Sequence, residues 1–493
     1  MFVQTLLSDS CTPLALYHAL QAQSPYAFLL ESTDGDSRLA RFSFLGVNPQ
    51  QVVSFYPTAT HWHHRQTDAT YTTIEEPPAS AQAHPLAVLQ AHQPTHWRDE
   101  LAAYNPDLLA AWPLLGGWVG VLGYQATACF DAIPQATEAP FNVPYGLFGL
   151  YDSVVAFDHL KKTLAFISFN PDAATLWANL QSTLASLQAP PPLSLPAHSL
   201  SQDDLFAIAD LDTAFTQAQF EAKVKDTLKL ITQGEVFQLV LANRYSQPFT
   251  LPALTAYRLL TALNPSPYSF LLKTPTFCYV GSSPETFVSV SGATTDTPAI
   301  VKLHALAGTR PRGDTPQADA ALQADLLADA KELAEHKMLV DLARNDLGRV
   351  CRVGTVTTGP LAEVVRYTHV MHLATEVRGE LSPQHNAYDV ARGCFPRGTL
   401  SGAPKIRAMQ HIATLEHEQR GYYSGFVGYL DPFGRLDACI AIRSVLLCDS
   451  WAHVHAGAGI VADSQPTAEY QETRNKATSV MLALALAKAL PKA

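Results

Sequence analysis

The chain has 493 residues, 47% of them hydrophobic, enough apolar material for a large core and for two domains or one two-lobed unit. Its net charge of −11 argues against nucleic acid or an anionic membrane as partner, so an anionic substrate would need cations gathered locally. The seven cysteines are scattered without a C-x-x-C pair, which excludes a zinc or disulfide framework and fits reduced thiols in a cytoplasmic protein; no leader peptide or membrane-spanning stretch is expected.

In chain order, a helix is predicted near Pro13–Ala22. Strands at Tyr26–Glu31 and Leu39–Leu45 then form a hairpin around the polar turn Thr33-Asp34-Gly35-Asp36. Residues 57–85 read as polar and irregular, with His61, His63 and His64 in an exposed loop tract rather than a metal site. Leu115–Tyr124 is a glycine-broken strand, where another backbone or side chain approaches closely. Leu147–Phe157 and Thr163–Phe169 are a further pair of strands, and Asp172–Leu187 is helical. The stacked prolines of Ala189–Pro196 favour extended polyproline II. The chain thus divides into residues 1–188, a Pro-rich linker at 189–212 and residues 213–493. Beyond the linker come a helix at Thr216–Gln233 closed by Gly234, a buried strand at Glu235–Arg244 and a helix at Ala253–Leu263. Strands follow at Tyr268–Lys273, Phe277–Gly281, Phe287–Val290 and Val301–Leu306.

Pro316–Arg349 reads as one long helix, capped by Asp314 or Thr315 and opened by Pro316. Met338, Leu339 and Leu342 follow Glu335 at i+3, i+4 and i+7, which puts its carboxylate on the apolar stripe. Such an acid needs Lys331, at i−4, or a cation. Magnesium takes one or two protein carboxylates and completes its shell with water and substrate. Val370-Met371-His372 ends a strand-like stretch, where a lone His is usually structural. Gly393–Lys405 (GCFPRGTLSGAPK) is a loop before a helix at Pro404–Leu415; it is no P-loop but offers amides to an anion. Strands follow at Phe426–Leu430 and Asp437–Leu447 around the turn Asp431–Gly434. Arg443, inside the second, needs a carboxylate partner from the protein or a ligand.

Ala456–Lys476 (AGAGIVADSQPTAEYQETRNK) reads as a Gly-rich turn, then a helix opened by Pro466 with Glu469, Glu472 and Lys476 on one face. Taken alone this is a surface helix with ordinary ion pairs. Taken with Glu335, it sets amides for an anion beside carboxylates for a hard cation. Gly457–Ala462 also matches G-x-G-x-x-A, but Asp463, Ser464 and Pro466 stop a helix from following the turn, and no βαβ unit can be completed.

Together these stretches resemble the chorismate-utilising enzymes, most closely the anthranilate synthase component I family. The resemblance covers nearly the whole chain and is densest from Phe220 to Lys476. It is carried by LLES at Leu29–Ser32, RFSFLG at Arg41–Gly46, GEVFQLVLANR at Gly234–Arg244, NPSPY at Asn264–Tyr268 and SPE at Ser283–Glu285. It continues in AGTRPRG at Ala307–Gly313, AEHKMLVDLARNDLGR at Ala334–Arg349, the FPRGTLSGAPK loop, AIR at Ala441–Arg443 and AGAGIVADS. The resemblance implies an α/β (α+β) fold, a two-lobed sandwich of large antiparallel-rich sheets flanked by helices, with chorismate in the cleft.

The same resemblance assigns roles. Glu335 and Glu472 are the implied magnesium ligands, with Glu469 and Lys476 supporting the ion. Gly308 and Thr309 line the ring-carboxylate side. Tyr423, Arg443 and the amides of Gly457, Ala458 and Gly459 hold the enolpyruvyl carboxylate. Glu285 is the implied acid for the departing ring hydroxyl; His372, Thr399, Gln238 and Lys476 complete the catalytic set, with His372 assisting loss of pyruvate. Glu31, Ser32, Pro267, Tyr268 and Ser269 match a tryptophan feedback site. Ser269 stands where the family usually has Met, and Arg397 where FPAGT has Ala.

Gln238 replaces the base lysine of water-using relatives, and Ala307 the nucleophilic lysine of many aminodeoxychorismate synthases. Both favour amination next to the ring carboxylate, giving anthranilate in tryptophan biosynthesis. No glutaminase domain is recognisable, so ammonia is expected from a glutamine amidotransferase subunit (component II) in a heterotetramer, with L-tryptophan as inhibitor. The alternatives are an aminodeoxychorismate synthase component and a catalytically silent homologue; the presence of Glu285, Glu335, Arg443 and Glu472 speaks against the second.

Overall fold

The computed structural model describes residues 1–32, 41–66, 70–78, 84–193, 201–207, 211–293, 297–366 and 370–490. The predicted turn at Thr33–Asp36 and residues 194–200 and 208–210 of the Pro-rich linker lie outside them. Runs such as AFLLE, FVGYL and FCYVGSS are apolar on both faces and form strands buried on both faces. They assemble into two twelve-stranded sheets whose pairings are antiparallel throughout. The first runs from Phe2–Leu7 through Ala27–Glu31, Tyr268–Lys273, Phe277–Ser283, Ser444–Cys448 and Trp451–Ile460 to Gln238–Pro248. The second runs from Val370–Glu380 through Ile300–Pro311, Thr286–Val290, Leu436–Ile440, Phe426–Leu430 and Gly117–Leu122 to Tyr71–Glu76. Strands from both sides of residues 189–212 share each sheet. The main core lies between the sheets, where Phe28, Phe44 and Ile167 of the first meet Phe55, Phe148 and Phe426 of the second. The helices Ala253–Leu263 and Pro466–Ala489 cover the outer face of the first sheet. No helix among the described residues is long and apolar enough to cross a membrane.

Local chemistry explains most element ends. Thr216 caps its helix in a capping box with Gln219, and Gly234 follows at φ +77°. The glycine-broken strand is Gly117–Leu122, and the close approach is real: a Cβ on Gly120 would stand 2.0 Å from the carbonyl oxygen of Leu147.

Several sequence expectations are corrected. Residues 57–85 are not all irregular: Thr60–Arg65 and Tyr71–Glu76 are strands, with Trp62 inward while His61 and His63 lie half-exposed. Residues 146–158 form two strands, Gly146–Tyr151 and Ser153–Asp158. The strand expected at Glu235 starts at Gln238, leaving Phe237 71% exposed. The long helix is two, Pro316–Ala328 and Ala330–Gly348. Asp329 takes an extended backbone between them and its side chain accepts from the amides of Lys331 and Glu332, so an N-cap preference outweighs helical continuity. His372 lies near the start of the Val370–Glu380 strand, not at the end of one. Asp437–Leu447 is two strands in different sheets, and Gly457–Gly459 is a strand rather than a turn.

Candidate active site

The chain crosses from one sheet to the other at two adjacent places. Phe277–Ser283 belongs to the first sheet and Thr286–Val290 to the second, with Glu285 at the crossing. Leu436–Ile440 belongs to the second and Ser444–Cys448 to the first, with Arg443 at the crossing. The crossings are tied together: the Ile440 amide donates to Glu285 O at 3.0 Å, and the Ser282 amide to Arg443 O at 3.1 Å. Arg443 sits at φ +50°, a left-handed backbone that a non-glycine residue keeps only when its surroundings impose it. Its guanidinium has no hydrogen-bond or ion-pair partner among the described residues, while Glu285, Glu472 and Tyr423 act on it electrostatically. It is therefore available to a carboxylate ligand.

Glu285 is buried, and its Oε1 accepts a hydrogen bond from Thr399 Oγ1 at 3.0 Å. Burial raises its carboxyl above the ordinary range, against the opposing charges of Arg397, Lys476 and Arg443. A protonated carboxyl in a cleft is suited to give a proton. Across the cleft, His372 Nδ1 lies 2.9 Å from Gly308 O and 3.0 Å from Thr309 Oγ1. A carbonyl can only accept, so Nδ1 is assigned as the protonated nitrogen and Nε2 keeps the lone pair. Burial also holds this imidazole below its ordinary value. Gly308 sits at φ +63° where the pairing register of Ile300–Pro311 shifts, and a Cβ there would meet Leu326 Cδ1 at 2.9 Å.

The far wall is Trp451–Ile460. Its pairing with Ser444–Cys448 ends at Val454, whereas its pairing with Gln238–Pro248 continues to Ile460. Among the described residues one edge of Gly457–Gly459 therefore has no strand neighbour, so the amides pointing to that edge come from a strand instead of a turn. Tyr423 packs here: a Cβ on Gly457 would stand 2.6 Å from its hydroxyl, and its ring stacks on His455 with centroids 5.7 Å apart.

Two helices bring carboxylates together. Glu335 is half-buried rather than core-facing, and it is met not by Lys331 but by Gln238, whose Nε2 donates to Glu335 Oε1 at 3.3 Å. Its carboxyl is raised by burial first and then by Glu332 and Glu472. Glu469 is raised likewise, by burial and then Glu472, and its Oε2 is buried without a partner. Lys476 pairs with Glu472 at 2.6 Å and donates to Gly457 O at 2.9 Å. Glu332, beside Gly308, escaped the sequence reading. The available signal was a matched spacing: Glu332 and Glu335 repeat on one helix the i,i+3 pair that Glu469 and Glu472 make on the other. Glu332, Glu335 and Glu469, each raised in part by the charge of Glu472, with one oxygen orphaned, fit a hard divalent cation. They do not form a tight cage. The one triad of donor atoms within 4.8 Å of one another among the described residues is Glu138, His417 and Glu418, away from the cleft, and Glu418 is already paired with Arg244.

The five expected effector residues, Glu31, Ser32, Pro267, Tyr268 and Ser269, line one cavity of about 240 Å³ with Phe44, Tyr429 and Asp437. Ser32 Oγ is buried there without a partner, and the Tyr268 hydroxyl donates to Asp437 at 3.0 Å. The effector candidates thus share one cavity, while the remaining candidates are linked in small groups: Glu285 with Thr399, His372 with Gly308 and Thr309, Gln238 with Glu335, and Lys476 with Glu472 and Gly457.

Known proteins match this arrangement. The family model described as chorismate binding enzyme matches residues 27–482. An anthranilate synthase component 1 of Streptomyces coelicolor is 38% identical over 99% of this chain and 89% of its own length. One of Lactococcus lactis is 36% identical over 97% of this chain and 98% of its own. Among solved structures, anthranilate synthase component I of Streptococcus pneumoniae aligns with a TM-score of 0.73 at 32% identity, covering 97% of this chain and 99% of that one. An isochorismate synthase of Escherichia coli, at 19% identity and a TM-score of 0.66, shares the fold. The chain belongs to the chorismate-binding enzymes, in the branch of anthranilate synthase component I.

Proposed function

We propose that this chain is the large subunit of an anthranilate synthase, converting chorismate and ammonia to anthranilate and pyruvate in the cytoplasm. The observation that carries the choice of nucleophile is Gln238. It sits beside Glu335 with its Oε1 buried and unpartnered. A neutral amide oxygen accepts an N–H from ammonia but cannot deprotonate water. Ammonia forms a C–N bond to the ring carbon beside the carboxylate. Glu285 protonates the ring hydroxyl, which leaves as water, and the new amine sheds its extra proton. The C–H bond at the amine-bearing ring carbon and the C–O bond to the side chain then break, leaving an aromatic ring; His372 takes the ring proton, and the departing enolpyruvate is protonated to pyruvate. Arg443 and the free edge at Gly457–Gly459 hold the side-chain carboxylate.

Glu335 and Glu472 would hold a magnesium ion, with Glu332 and Glu469 behind them. Bound there, the ion would neutralise the ring carboxylate. Ammonia is supplied by a glutamine amidotransferase subunit in a heterotetramer. Incubated with chorismate, magnesium and ammonium, the chain should yield fluorescent anthranilate and equimolar pyruvate. Accumulation of aminodeoxychorismate would reassign it to folate synthesis.

The 240 Å³ cavity is read as a tryptophan site, with Ser32 hydrogen-bonding the ligand and the aromatic walls taking the indole. Ser32→Ala should raise the tryptophan inhibition constant roughly 2- to 10-fold, the worth of one hydrogen bond. Ser269→Met, which restores apolar filling, should lower it by about 5-fold or more. Tryptophan titration of the initial rate decides both, and inhibition unaffected by either change would remove tryptophan from this cavity.

A further inference from the structure

We propose that Arg397 is a positioning residue for the acid step: its buried guanidinium, without a carboxylate of its own, stabilises the carboxylate that Glu285 becomes on giving up its proton. The inference rests on Glu285 acting as the acid.

Arg397 is 3% exposed. Its carbonyl oxygen opens the turn that carries Thr399, accepting from the Leu400 amide at 3.1 Å and from Ser401 Oγ at 3.0 Å. Thr399 in turn holds Glu285. On the Arg397 side chain, Nη2 donates to His304 O at 3.1 Å, and Nε is buried with no partner. Other buried cations are matched. Lys405 lies 2.8 Å from Asp346, Arg244 2.7 Å from Glu418, and Arg420 and Arg435 each 2.5 Å from Glu416 and Asp431. Arg397 makes no such pair among the described residues. A buried charge left this way is costly unless a nearby group changes charge to meet it.

Glu285 is that group. The charged residues that act on it are Arg397 foremost, then Lys476 and, from the adjacent sheet crossing, Arg443; Thr399 is the neutral donor. Lys476 is committed to Glu472 and Gly457 O. Arg443 is the cation open to the substrate's carboxylate. Arg397 is left without a prior claim. When the Glu285 O–H bond breaks, its proton goes to the ring oxygen, the C–O bond breaks and water departs. The negative charge stays on Glu285, opposite Arg397. The proton count is restored when the newly formed R–NH₃⁺ loses one.

The sign of the effect follows. Glu285 works in its protonated form, so the rate falls as pH rises through its pKa. Burial raises that pKa and Arg397 opposes the rise. Without Arg397 the acid is weaker and its alkaline limit moves up.

The test measures kcat and KM against pH, at constant free ammonia, for the wild type, Arg397→Ala, Arg397→Gln and Arg397→Lys. Alanine is the residue of the family pattern at this position, so that variant is expected to fold; circular dichroism and thermal melting check it. In the Ala and Gln variants the alkaline limb of kcat should move up by about one pH unit and the plateau fall about 10-fold, with KM for chorismate little changed. The Lys variant should keep the limb in place. A limb unmoved in both neutral variants, or moved equally in the Lys variant, overturns the inference. A wild type that makes no anthranilate would instead overturn the proposed function, independently of Arg397.

Discussion

Glu285→Gln is expected to lower kcat for anthranilate formation by roughly 10²- to 10⁴-fold while leaving KM for chorismate nearly unchanged. Glutamine keeps the size of the side chain and still accepts the Thr399 hydrogen bond at Oε1. It cannot deliver a proton to a departing hydroxyl. The interaction lost belongs to the transition state, so binding should survive while turnover does not. The carboxyl at this position is buried and raised in pKa, which favours its protonated form relative to a surface glutamate. The measurement is steady-state kinetics with free ammonium, which removes any partner subunit from the comparison. A variant retaining more than about a tenth of the wild-type kcat would show that another group protonates the leaving oxygen.

Glu472→Gln is expected to raise the magnesium concentration needed for half-maximal rate by at least about 100-fold, since changes in groups that only support metal ligands already cost about 10- to 100-fold. Glu332, Glu335 and Glu469 are each raised by burial and then by neighbouring carboxylates, Glu472 among them in every case, a repulsion that a divalent cation would relieve. Neutralising Glu472 weakens that demand and frees Lys476 from its 2.6 Å pair. Because the substitution removes repulsion, the metal-free protein should melt no earlier than wild type. Magnesium titration of the rate and melting curves without metal read the two effects separately. An unchanged magnesium requirement would take Glu472 out of the ion site.

Much of this was legible in the sequence because it is local. The helix Ala253–Leu263 and the strand Tyr268–Lys273 fall where the pattern puts them, and Thr315, Thr216 and Pro466 mark helix starts by their own chemistry. The family resemblance supplied what periodicity cannot, the pairing of Glu335 with Glu472 across more than a hundred residues. What stayed hidden is non-local. DACIAIRSVLL reads as one apolar run because the strands on either side of Arg443 are both buried, so nothing in the run shows the change of sheet. Gly457–Gly459 reads as a turn until its long pairing with Gln238–Pro248 is known. The histidine-rich Thr60–Arg65 conceals its alternation because its outward residues and part of its inward face are polar. Glu332 went unnoticed, since its neighbours Gly308 and Glu472 come from elsewhere in the chain.

The two sheet crossings also join the cleft to the cavity mechanically. Asp437 lines the cavity and Arg443 lies six residues further along the same segment. Ser269, also in the cavity wall, pairs with Ser282, three residues before Glu285. The strands that wall the cavity are therefore continuous with the backbone that carries Glu285 and Arg443. A ladder of backbone hydrogen bonds resists stretching along its length, so a wedge that spreads the cavity walls pulls on both supports together. The cavity and the residues about Glu285 and Arg443 are two ends of the same short beams, so the inhibition proposed above would need neither a hinge nor a separately moving lobe.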